Sequence, residues 1–323
     1  MPEKNSIATA LTLSTQNGLD QLIKEFLLSL DLKQNSKQTY QRGMRRFSYW
    51  LIRRKIVNPD REDILAYKEY LESEHLSALT ISGYIVTVRR FFEYLEGIKF
   101  YPNIARGVKG MKRSKGFRKD PLTLKQIQSL YNGLKRETPQ DLRDFSIINL
   151  LIRTGLRTIE IIRASVGDIR QESGEEVLWI QGKGRDTKDE FVLLTEETLG
   201  PIQAYLKTRP KKLKKENDPL FISHSDRNFG KRLTTRSISR IVKDNMRLVG
   251  IDSSRLTAHS LRHTAITLAL QAGATIQEAQ LLGRHANINT TMIYAHNINR
   301  ISHAPERKID QILSGFTKKE HKE

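Results

Sequence analysis

Hydrophobic residues recur at helical spacing through the first hundred residues. The apolar positions predict four helices, around residues 19–30, 40–51, 64–71 and 81–95. Only short polar stretches separate these segments, so we expect a small helical domain over residues 16–100. Residues 1–15 show no strong pattern and are predicted to form a flexible N-terminal segment.

The helical pattern returns after residue 120 and is interrupted once by strand-like segments. Thr123 and Gln126 match a capping box, and Gly155 is well placed to end a helix over 139–154. Two strands are predicted at 177–181 and 191–194, on either side of a polar turn. Further helices are predicted near 196–208, 236–249, 258–272, 276–283, 289–296 and 305–314.

The predicted fold is therefore mainly α with a small β-sheet. We expect a second domain over residues 120–300 and a C-terminal helix and tail over 301–323. Alternating βαβ units and glycine-rich phosphate loops are absent from the sequence, which disfavours nucleotide-binding folds.

The chain is strongly basic, with 55 Lys and Arg against 36 Asp and Glu and a formal net charge of +19. Such an excess favours a polyanionic partner. The segment 101–119 has no acidic residue, three glycines and one proline, and is predicted to be an extended basic linker between the domains. Phosphate contacts are predicted for Lys109, Lys112, Arg113 and Lys115 of this linker, and for Arg42, Arg45 and Arg46 of the second helix.

Several classes of protein are disfavoured by what the sequence lacks. It contains no cysteine, which excludes disulfides, thiolate nucleophiles and cysteine-containing zinc sites. No apolar stretch reaches the roughly 18 residues needed to span a membrane, and no basic segment followed by an apolar run begins the chain. We therefore expect a soluble, cytoplasmic protein that has no membrane partner.

Five short stretches place polar groups where the surrounding pattern predicts core or turn. They contain Arg157 with Glu160, Lys183 between two glycines, His259 with Arg262, His285, and Tyr294, which follows nine positions after His285. Arginine, lysine and histidine side chains can neutralise charge that develops on a phosphodiester. A tyrosine hydroxyl becomes a nucleophile when a base takes its proton. Attack on phosphorus would conserve the bond energy as a phosphotyrosine, so no ATP, metal or other cofactor is expected.

His263 and His296 have simpler interpretations than a catalytic role. His259 and His263 have the i, i+4 spacing of zinc ligands, but no glutamate lies between them and no third ligand is evident. His263 is therefore interpreted as a buried, hydrogen-bonded helix residue. His296 is interpreted as a residue that caps its short helix.

The four motifs TGLRTIEI, GKG, HSLRHT and LLGRHANINTTMIYAH follow one another in the order typical of one family. Over about residues 120–300 the chain resembles the tyrosine recombinase, or phage integrase, family. The helical domain before them resembles the core-binding (SAM-like) domain of that family. The resemblance implies an α+β catalytic domain and a two-domain, Xer-like layout.

The resemblance also implies how the phosphate is held. Arg157 and Arg262 match the arginine pair that clamps the scissile phosphate. His285 matches the position that donates a hydrogen bond to the phosphate. Glu160 matches a supporting carboxylate that orients neighbouring catalytic groups.

Three further residues match groups that move protons or attack phosphorus. Tyr294 matches the nucleophile that forms a 3′-phosphotyrosine, and His259 matches the histidine that assists removal of the tyrosine proton. Lys183 matches the general acid that protonates the departing 5′ oxygen. Lys188 and Arg185 lie in the same turn and are alternatives to Lys183.

One departure from the family pattern precedes His285. Relatives usually have glycine at the position of Arg284, and an arginine there is a candidate for an additional phosphate contact.

These motifs predict a site-specific DNA recombinase that acts through a Holliday junction in integration, excision, transposition or dimer resolution. The implied partners are double-stranded DNA in the nucleoid, three further copies of the chain in a tetramer linked by exchange of the C-terminal helix, and accessory factors. The alternatives are a type IB topoisomerase-like enzyme that relaxes DNA and a non-catalytic DNA-binding or architectural protein.

Overall fold

The computed structural model describes residues 16–112, 119–182, 184–302 and 304–317. The chain divides into two compact units, Met1–Lys115 and Gly116–Glu323. In its described part, the first unit forms four helices: α1 (Gln16–Ser29), α2 (Gln34–Arg53), α3 (Arg61–Ser73) and α4 (Ala78–Gly97). The predicted order of helices in this domain is therefore observed.

An aromatic core holds the first unit together. Phe26, Phe47, Tyr67, Phe91 and Phe92 are almost fully buried, and the ring contacts among these five are edge-to-face. This geometry is the one that aromatic quadrupoles prefer, so the rings add specific attraction to the hydrophobic effect.

The first part of the predicted linker belongs to this unit. Ala105 and Val108 are buried in its core, and Ile104 and Met111 pack against it. Residues 101–111 are therefore packed chain rather than an extended linker. The basic side chains Lys109 and Lys112 remain exposed on this segment, because the apolar residues between them provide the contacts with the core.

The described part of the second unit contains nine helices and three strands. Its elements in chain order are α5 (Leu124–Gly133), α6 (Pro139–Thr154), α7 (Thr158–Arg163), β1 (Ile169–Glu172), β2 (Glu175–Ile180), β3 (Glu190–Leu193), α8 (Glu196–Thr208), α9 (Thr235–Leu248), α10 (Ala258–Gln271), α11 (Ile276–Gly283), α12 (Ile288–Ser302) and α13 (Pro305–Thr317). The mainly α fold with a small sheet is confirmed.

The sheet is antiparallel in the order β1-β2-β3, with Arg170 opposite Val177 and Trp179 opposite Phe191. The sequence pattern does not predict β1 or α7. The side chains of β1 are exposed or half-buried throughout, so this strand lacks the alternation that marks a half-buried strand. α7 has six residues, which is too few for a helical period to be evident.

Helix α10 passes through the middle of the second unit. Its first nine residues are almost all buried, including Arg262 and His263. It packs against α6, α9, α11 and α12, so polar side chains on several of its faces meet other elements rather than solvent. In the described residues, no helix is long and apolar enough to span a membrane.

Candidate active site

The junction between α6 and α7 positions Arg157 and Glu160. α6 ends at Gly155, whose φ of 60° is the left-handed conformation that glycine adopts without steric cost. The chain then turns so that Arg157 caps α7 and Glu160 lies within its first turn. The fully buried Glu160 carboxylate accepts from the Arg157 backbone N–H at 2.7 Å and from Arg157 Nη1 at 2.7 Å. Glu160 therefore fixes both the backbone and the side chain of Arg157.

Arg157 is also held from the end of α11. Its Nη2 donates to the carbonyl oxygen of Arg284 at 2.9 Å. About a quarter of the Arg157 side chain remains exposed. Its guanidinium is thus oriented from two sides, and part of the side chain still reaches the surface.

Arg262 is presented by α10, near its buried N-terminal end. It is 2% exposed, and its Nη1 donates to the carbonyl oxygen of Gly155 at 2.5 Å. Among the described residues, no acceptor lies within hydrogen-bond distance of its buried Nη2. Burial and the charges of Arg157 and Arg284 lower the pKa of Arg262 to about 9. A buried cation with an unused donor is stabilised by an anion that binds beside it.

Arg284 ends α11 in the left-handed conformation, with φ 46° and ψ 48°. Its side chain is 7% exposed and donates to Glu160 at 3.1 Å and to the Gly155 carbonyl at 2.8 Å. The hypothesis that Arg284 contacts phosphate is therefore not supported, because its guanidinium points into the protein and pairs with Glu160. Its effect on the site is indirect, through the orientation of Arg157 and Glu160.

Tyr294 lies on α12 and is 4% exposed. Its hydroxyl lies 2.6 Å from Nδ1 of His263, a residue of α10 that is also 4% exposed. Burial raises the pKa of the Tyr294 hydroxyl to about 12, although Arg262 acts in the opposite direction. Burial, together with the neighbouring rings and charges of His259 and Arg262, lowers the pKa of His263 to about 4. Both groups are therefore neutral at neutral pH.

His285 and His259 complete the group of side chains around Tyr294. The His285 ring stacks on Tyr294 at 6.1 Å between centroids, and its Nδ1 lies 2.8 Å from Oγ1 of the buried Thr291. The His259 ring meets that of His263 edge-on at 4.6 Å. Loss of hydration and the charges of Arg262 and Arg157 lower the pKa of both histidines, to about 4 for His285.

Six of the seven residues expected in the site thus lie near one another in the second unit, either in direct contact or within reach of one another's charge. They are Arg157, Glu160, His259, Arg262, His285 and Tyr294. His263, expected from the sequence to be a buried, hydrogen-bonded helix residue, is 4% exposed and bonds the hydroxyl of Tyr294. No motif or spacing in the sequence indicates that the Tyr294 hydroxyl is the partner of His263.

Lys183 lies outside the described residues, but the contacts of its neighbours bear on the alternatives to it. Arg163 Nη1 donates to the carbonyl oxygen of Gly182 at 3.0 Å, which ties the hairpin to the end of α7. Lys188 is paired with the buried Asp168 at 2.5 Å. Arg185 is paired with Asp189 and Glu190. Both alternatives to Lys183 are thus engaged within the hairpin region.

Four of the seven residues predicted to contact a phosphate backbone are exposed: Arg42, Arg45, Lys109 and Lys112. Arg46 is different, because it pairs with Glu74 at 2.9 Å and lies 5.7 Å from the rings of Tyr70 and Tyr84. Its guanidinium thus has partners within the first unit. Arg113 and Lys115 lie outside the described residues.

The site combines three guanidinium groups with one buried carboxylate, so its local charge is positive. Such an arrangement attracts a phosphodiester and stabilises charge on its non-bridging oxygens. Within the described part of the chain, no group of three or more His, Asp or Glu residues is arranged to hold a metal ion.

Two family models match the chain, one for each unit. The model of the phage integrase family matches residues 121–300, more than half of the chain. The model of the phage integrase N-terminal SAM-like domain matches residues 19–97.

Curated relatives match over nearly their full lengths. The tyrosine recombinase XerD of Listeria monocytogenes serotype 4b (strain F2365) is 30% identical over 291 residues, covering 86% of this chain and 94% of the relative. The tyrosine recombinase XerD of Proteus mirabilis is 30% identical over 291 residues, covering 88% of this chain and 90% of the relative.

Solved structures share the fold at lower identity. The XerH site-specific recombinase bound to palindromic difH substrate, in a post-cleavage complex, superposes with a TM-score of 0.68 at 21% identity, covering 89% of this chain and 85% of that one. A lambda integrase dimer bound to a COC′ core site gives a TM-score of 0.68 at 17% identity, covering 89% and 79%. The resemblance expected from the motifs is confirmed: the chain belongs to the phage integrase family and is a tyrosine recombinase, an enzyme of site-specific DNA strand transfer.

Proposed function

We propose that Tyr294 attacks the scissile phosphodiester of a specific DNA duplex and forms a 3′-phosphotyrosine. The observation that carries the proposal is the unused Nη2 donor of the buried Arg262, in the group of side chains that surrounds Tyr294. A phosphate oxygen that accepts a hydrogen bond from this donor would place the phosphorus atom near the Tyr294 hydroxyl.

The other residues are proposed to have the roles that the family resemblance implies, and their positions support these roles. Arg157 reaches the surface from a fixed orientation and binds the second non-bridging oxygen, while Glu160 holds it there. His285 stacks on Tyr294 and donates from its second ring nitrogen to the phosphate. His259 lies at the edge of the site and assists proton removal from the tyrosine.

Lys183 is proposed as the general acid for the departing 5′ oxygen. The engagement of Lys188 with Asp168, and of Arg185 with Asp189 and Glu190, supports this assignment over the two alternatives. In the cleavage step the bond from Tyr294 Oη to phosphorus forms as the bond to the 5′ oxygen breaks. One P–O ester replaces another, so rejoining needs no ATP.

Double-stranded DNA is the substrate, and we propose that it is contacted by Arg42, Arg45, Lys109, Lys112, Arg113 and Lys115. The first four are exposed and cationic. Binding through such contacts weakens steeply with salt, because each one releases condensed counterions. The enzyme would meet this substrate in the nucleoid, with accessory factors selecting the reaction.

A tetramer is proposed as the active assembly. Helix α13 carries Ile309, Ile312 and Leu313, each more than half exposed. Exchange of this helix between neighbouring copies would bury these side chains and link the subunits in a closed ring. Four copies on two sites would then exchange strands in pairs through a Holliday junction.

The proposal is tested with a suicide substrate. The site is first selected by the protein from random duplex DNA and then nicked beside the cleavage position, so that the released fragment cannot rejoin. The wild-type protein is expected to form an SDS-resistant adduct, and Tyr294→Phe none. Equal adduct with Tyr294→Phe would overturn the assignment, and relaxation of plasmids lacking the site would favour a topoisomerase.

A further inference from the structure

The hydrogen bond between Tyr294 and His263 points to a role for a histidine that the family resemblance does not assign. The two atoms are 2.6 Å apart, which is short for a neutral O–H···N bond. They lie on α12 and α10, which pack directly against each other. The bond is therefore set by the tertiary fold and not by a flexible side chain.

The helical period of α10 explains how His263 comes to this place. His259, Arg262 and His263 are three and four positions apart and share one face of the helix. That face meets α12, so Arg262 and His263 lie side by side, one with an unused donor for phosphate and the other at the nucleophile.

His263 is enclosed on this face. Its ring meets His259 edge-on at 4.6 Å between centroids and lies 5.3 Å from the ring of Tyr294. Only 4% of its surface is exposed, so no bulk water competes for the hydroxyl. A neutral imidazole has one acceptor nitrogen, and Nδ1 is the nitrogen within reach of the tyrosine O–H.

The charges that face His263 come from several elements. Arg262 on its own helix and the nearby rings of His259 and His285 disfavour its protonation, whereas Asp120, which precedes α5, favours it. A bound phosphodiester adds one negative charge beside Arg262. Its field opposes that of the guanidinium and makes His263 a stronger base when substrate is present.

We infer that His263 accepts the proton of Tyr294 in the cleavage step, and that it orients the hydroxyl before the substrate binds. The Oη–H bond breaks as the bond from Oη to phosphorus forms, and the proton passes to Nδ1 of His263. It returns to Tyr294 in the rejoining step, when the 5′ oxygen displaces the tyrosine. This inference rests on the proposed function, because it requires Tyr294 to be the nucleophile.

The inference changes the expected contribution of His259. His259 contacts the ring of His263, and His263 contacts the tyrosine hydroxyl. His259 would therefore assist proton removal through His263, by fixing its ring, and His259 variants should be less impaired than His263 variants.

The principal test compares His263→Asn and His263→Ala in single-turnover cleavage of the suicide substrate. Asparagine can place an amide oxygen near the position of Nδ1 but cannot take up a proton. Both variants are expected to cleave roughly 10²–10⁴-fold more slowly than wild type, the usual contribution of a general base. Their DNA affinity should be unchanged. A wild-type rate in His263→Asn would overturn the inference.

A second substrate separates the base from the acid. A sulfur atom in place of the bridging 5′ oxygen makes a leaving group that needs no proton. This substrate should restore cleavage by Lys183→Ala and leave His263→Asn slow. Restoration of His263→Asn would place its defect at the leaving group and contradict the inference.

The dependence of the cleavage rate on pH distinguishes a general base from a residue that has only a structural role. The wild-type rate should level off above the pKa of His263 in the DNA complex. In His263→Asn the rate should continue to rise about tenfold per pH unit, because hydroxide must then remove the proton. The same plateau in both proteins would overturn the inference.

His224→Asn is the matched control. The second unit contains another histidine bonded to a buried tyrosine, His224 at 3.2 Å from the hydroxyl of Tyr205. Its substitution perturbs a similar pair elsewhere in the same unit and should leave the cleavage rate near that of wild type. An equal loss of rate in His224→Asn would show that disturbing the core is sufficient.

If the His263 variants do not fold, the hydrogen bond between His263 and Tyr294 can be tested in proteins that keep His263. In protein labelled with nitrogen-15 at histidine, one Nδ1 resonance should have the shift of an unprotonated acceptor and move in Tyr294→Phe. If no such resonance moves, the inference fails. If wild-type protein forms no adduct, the proposed function fails as well, whereas normal adduct with active His263→Asn contradicts only this inference.

Discussion

Arg284 and Glu160 form an ion pair of 3.1 Å between the end of α11 and the first turn of α7. The same carboxylate holds Arg157, and the backbone carbonyl of Arg284 accepts from Arg157 Nη2. Arg284 occupies a left-handed position at which a non-glycine residue pays roughly 1–2 kcal/mol. The ion pair must therefore offset a local backbone cost.

Replacing Arg284 by glycine removes both the backbone strain and the ion pair with Glu160, so the sign of the change in stability shows which of the two is larger. Arg284→Gly relieves the backbone but removes one of the two cations that neutralise the buried Glu160. Loss of a partner from a buried ion pair costs about 3–5 kcal/mol, and Arg157 remains, so we expect a net loss of about 1–3 kcal/mol of unfolding free energy. Urea denaturation measures it.

His75→Gly is the control for the backbone contribution. His75 follows α3 with φ 52° and is exposed, so glycine there relieves the same strain without breaking an ion pair. We expect this variant to be stabilised by up to about 1 kcal/mol. If Arg284→Gly were also more stable than wild type, the ion pair with Glu160 would contribute less than the strain.

Arg262→Lys tests whether the guanidinium fork, and not only its charge, is required. The two ends of the arginine serve different acceptors, the Gly155 carbonyl and, by our proposal, the phosphate. Lysine keeps the charge but cannot span both, so adduct formation should slow by about 10²–10³-fold. DNA affinity and its salt dependence should change little.

Arg255→Lys is the matched control for this substitution. Arg255 precedes α10 and pairs with Asp120 on the exposed surface. The same chemical change there should leave the cleavage rate unaltered. Comparable losses in both variants would argue against a specific role for the Arg262 fork.

The sequence predicted the fold and the family well, because both depend on local patterns. Helical spacing and capping residues marked α5 and α6, and the order of four motifs identified the family. The pair between Tyr294 and His263 depends on how α10 meets α12, which no spacing in the sequence encodes. The inward direction of the Arg284 side chain and the pairing of Arg46 with Glu74 arise in the same way.

Acid should destabilise the folded chain through its buried histidines. The pKa of His224 is lowered by burial and by Arg143 and Arg209 to about 4, whereas an unfolded histidine titrates near 6.5. Between these values the unfolded chain binds more protons, so stability falls as the pH decreases from about 6.5 toward about 4.

Urea denaturation from about pH 6.5 to about pH 5 tests this effect above the range where most carboxylates titrate. In His224→Gln, the fall in unfolding free energy per pH unit should be smaller than in wild type by up to about 1.4 kcal/mol. His296→Gln, at an exposed position of α12, should leave it unchanged. An unaltered slope in His224→Gln would show that His224 does not couple folding to pH.

Two glycines of the first unit should respond oppositely to alanine. A Cβ atom at Gly43 of α2 would lie 2.8 Å from Oγ1 of Thr87 on α4, whereas among the described residues no atom beyond the adjacent residues and local helix backbone lies within 4 Å of one at Gly83 of α4. Gly43→Ala should lose about 1–3 kcal/mol by overpacking, and Gly83→Ala should gain about 0.5–1 kcal/mol of helix stability. Thermal or urea unfolding measures both, and equal effects would contradict the close α2–α4 contact.

Charged substitutions on α13 test the proposed tetramer. Ile312 and Leu313 are exposed within the chain, so Ile312→Asp and Leu313→Asp should change the unfolding free energy by no more than about 0.5 kcal/mol. If copies exchange this helix, each variant should still bind a single half-site, but cooperative filling of paired sites and recombination should be lost. Gel-shift titration on half-sites and full sites measures the difference.

Arg307→Ala, opposite the apolar stripe by helical period, should assemble normally. Unchanged cooperativity in both aspartate variants would rule out α13 as the link between subunits, because a carboxylate cannot be buried there without a large loss of binding energy.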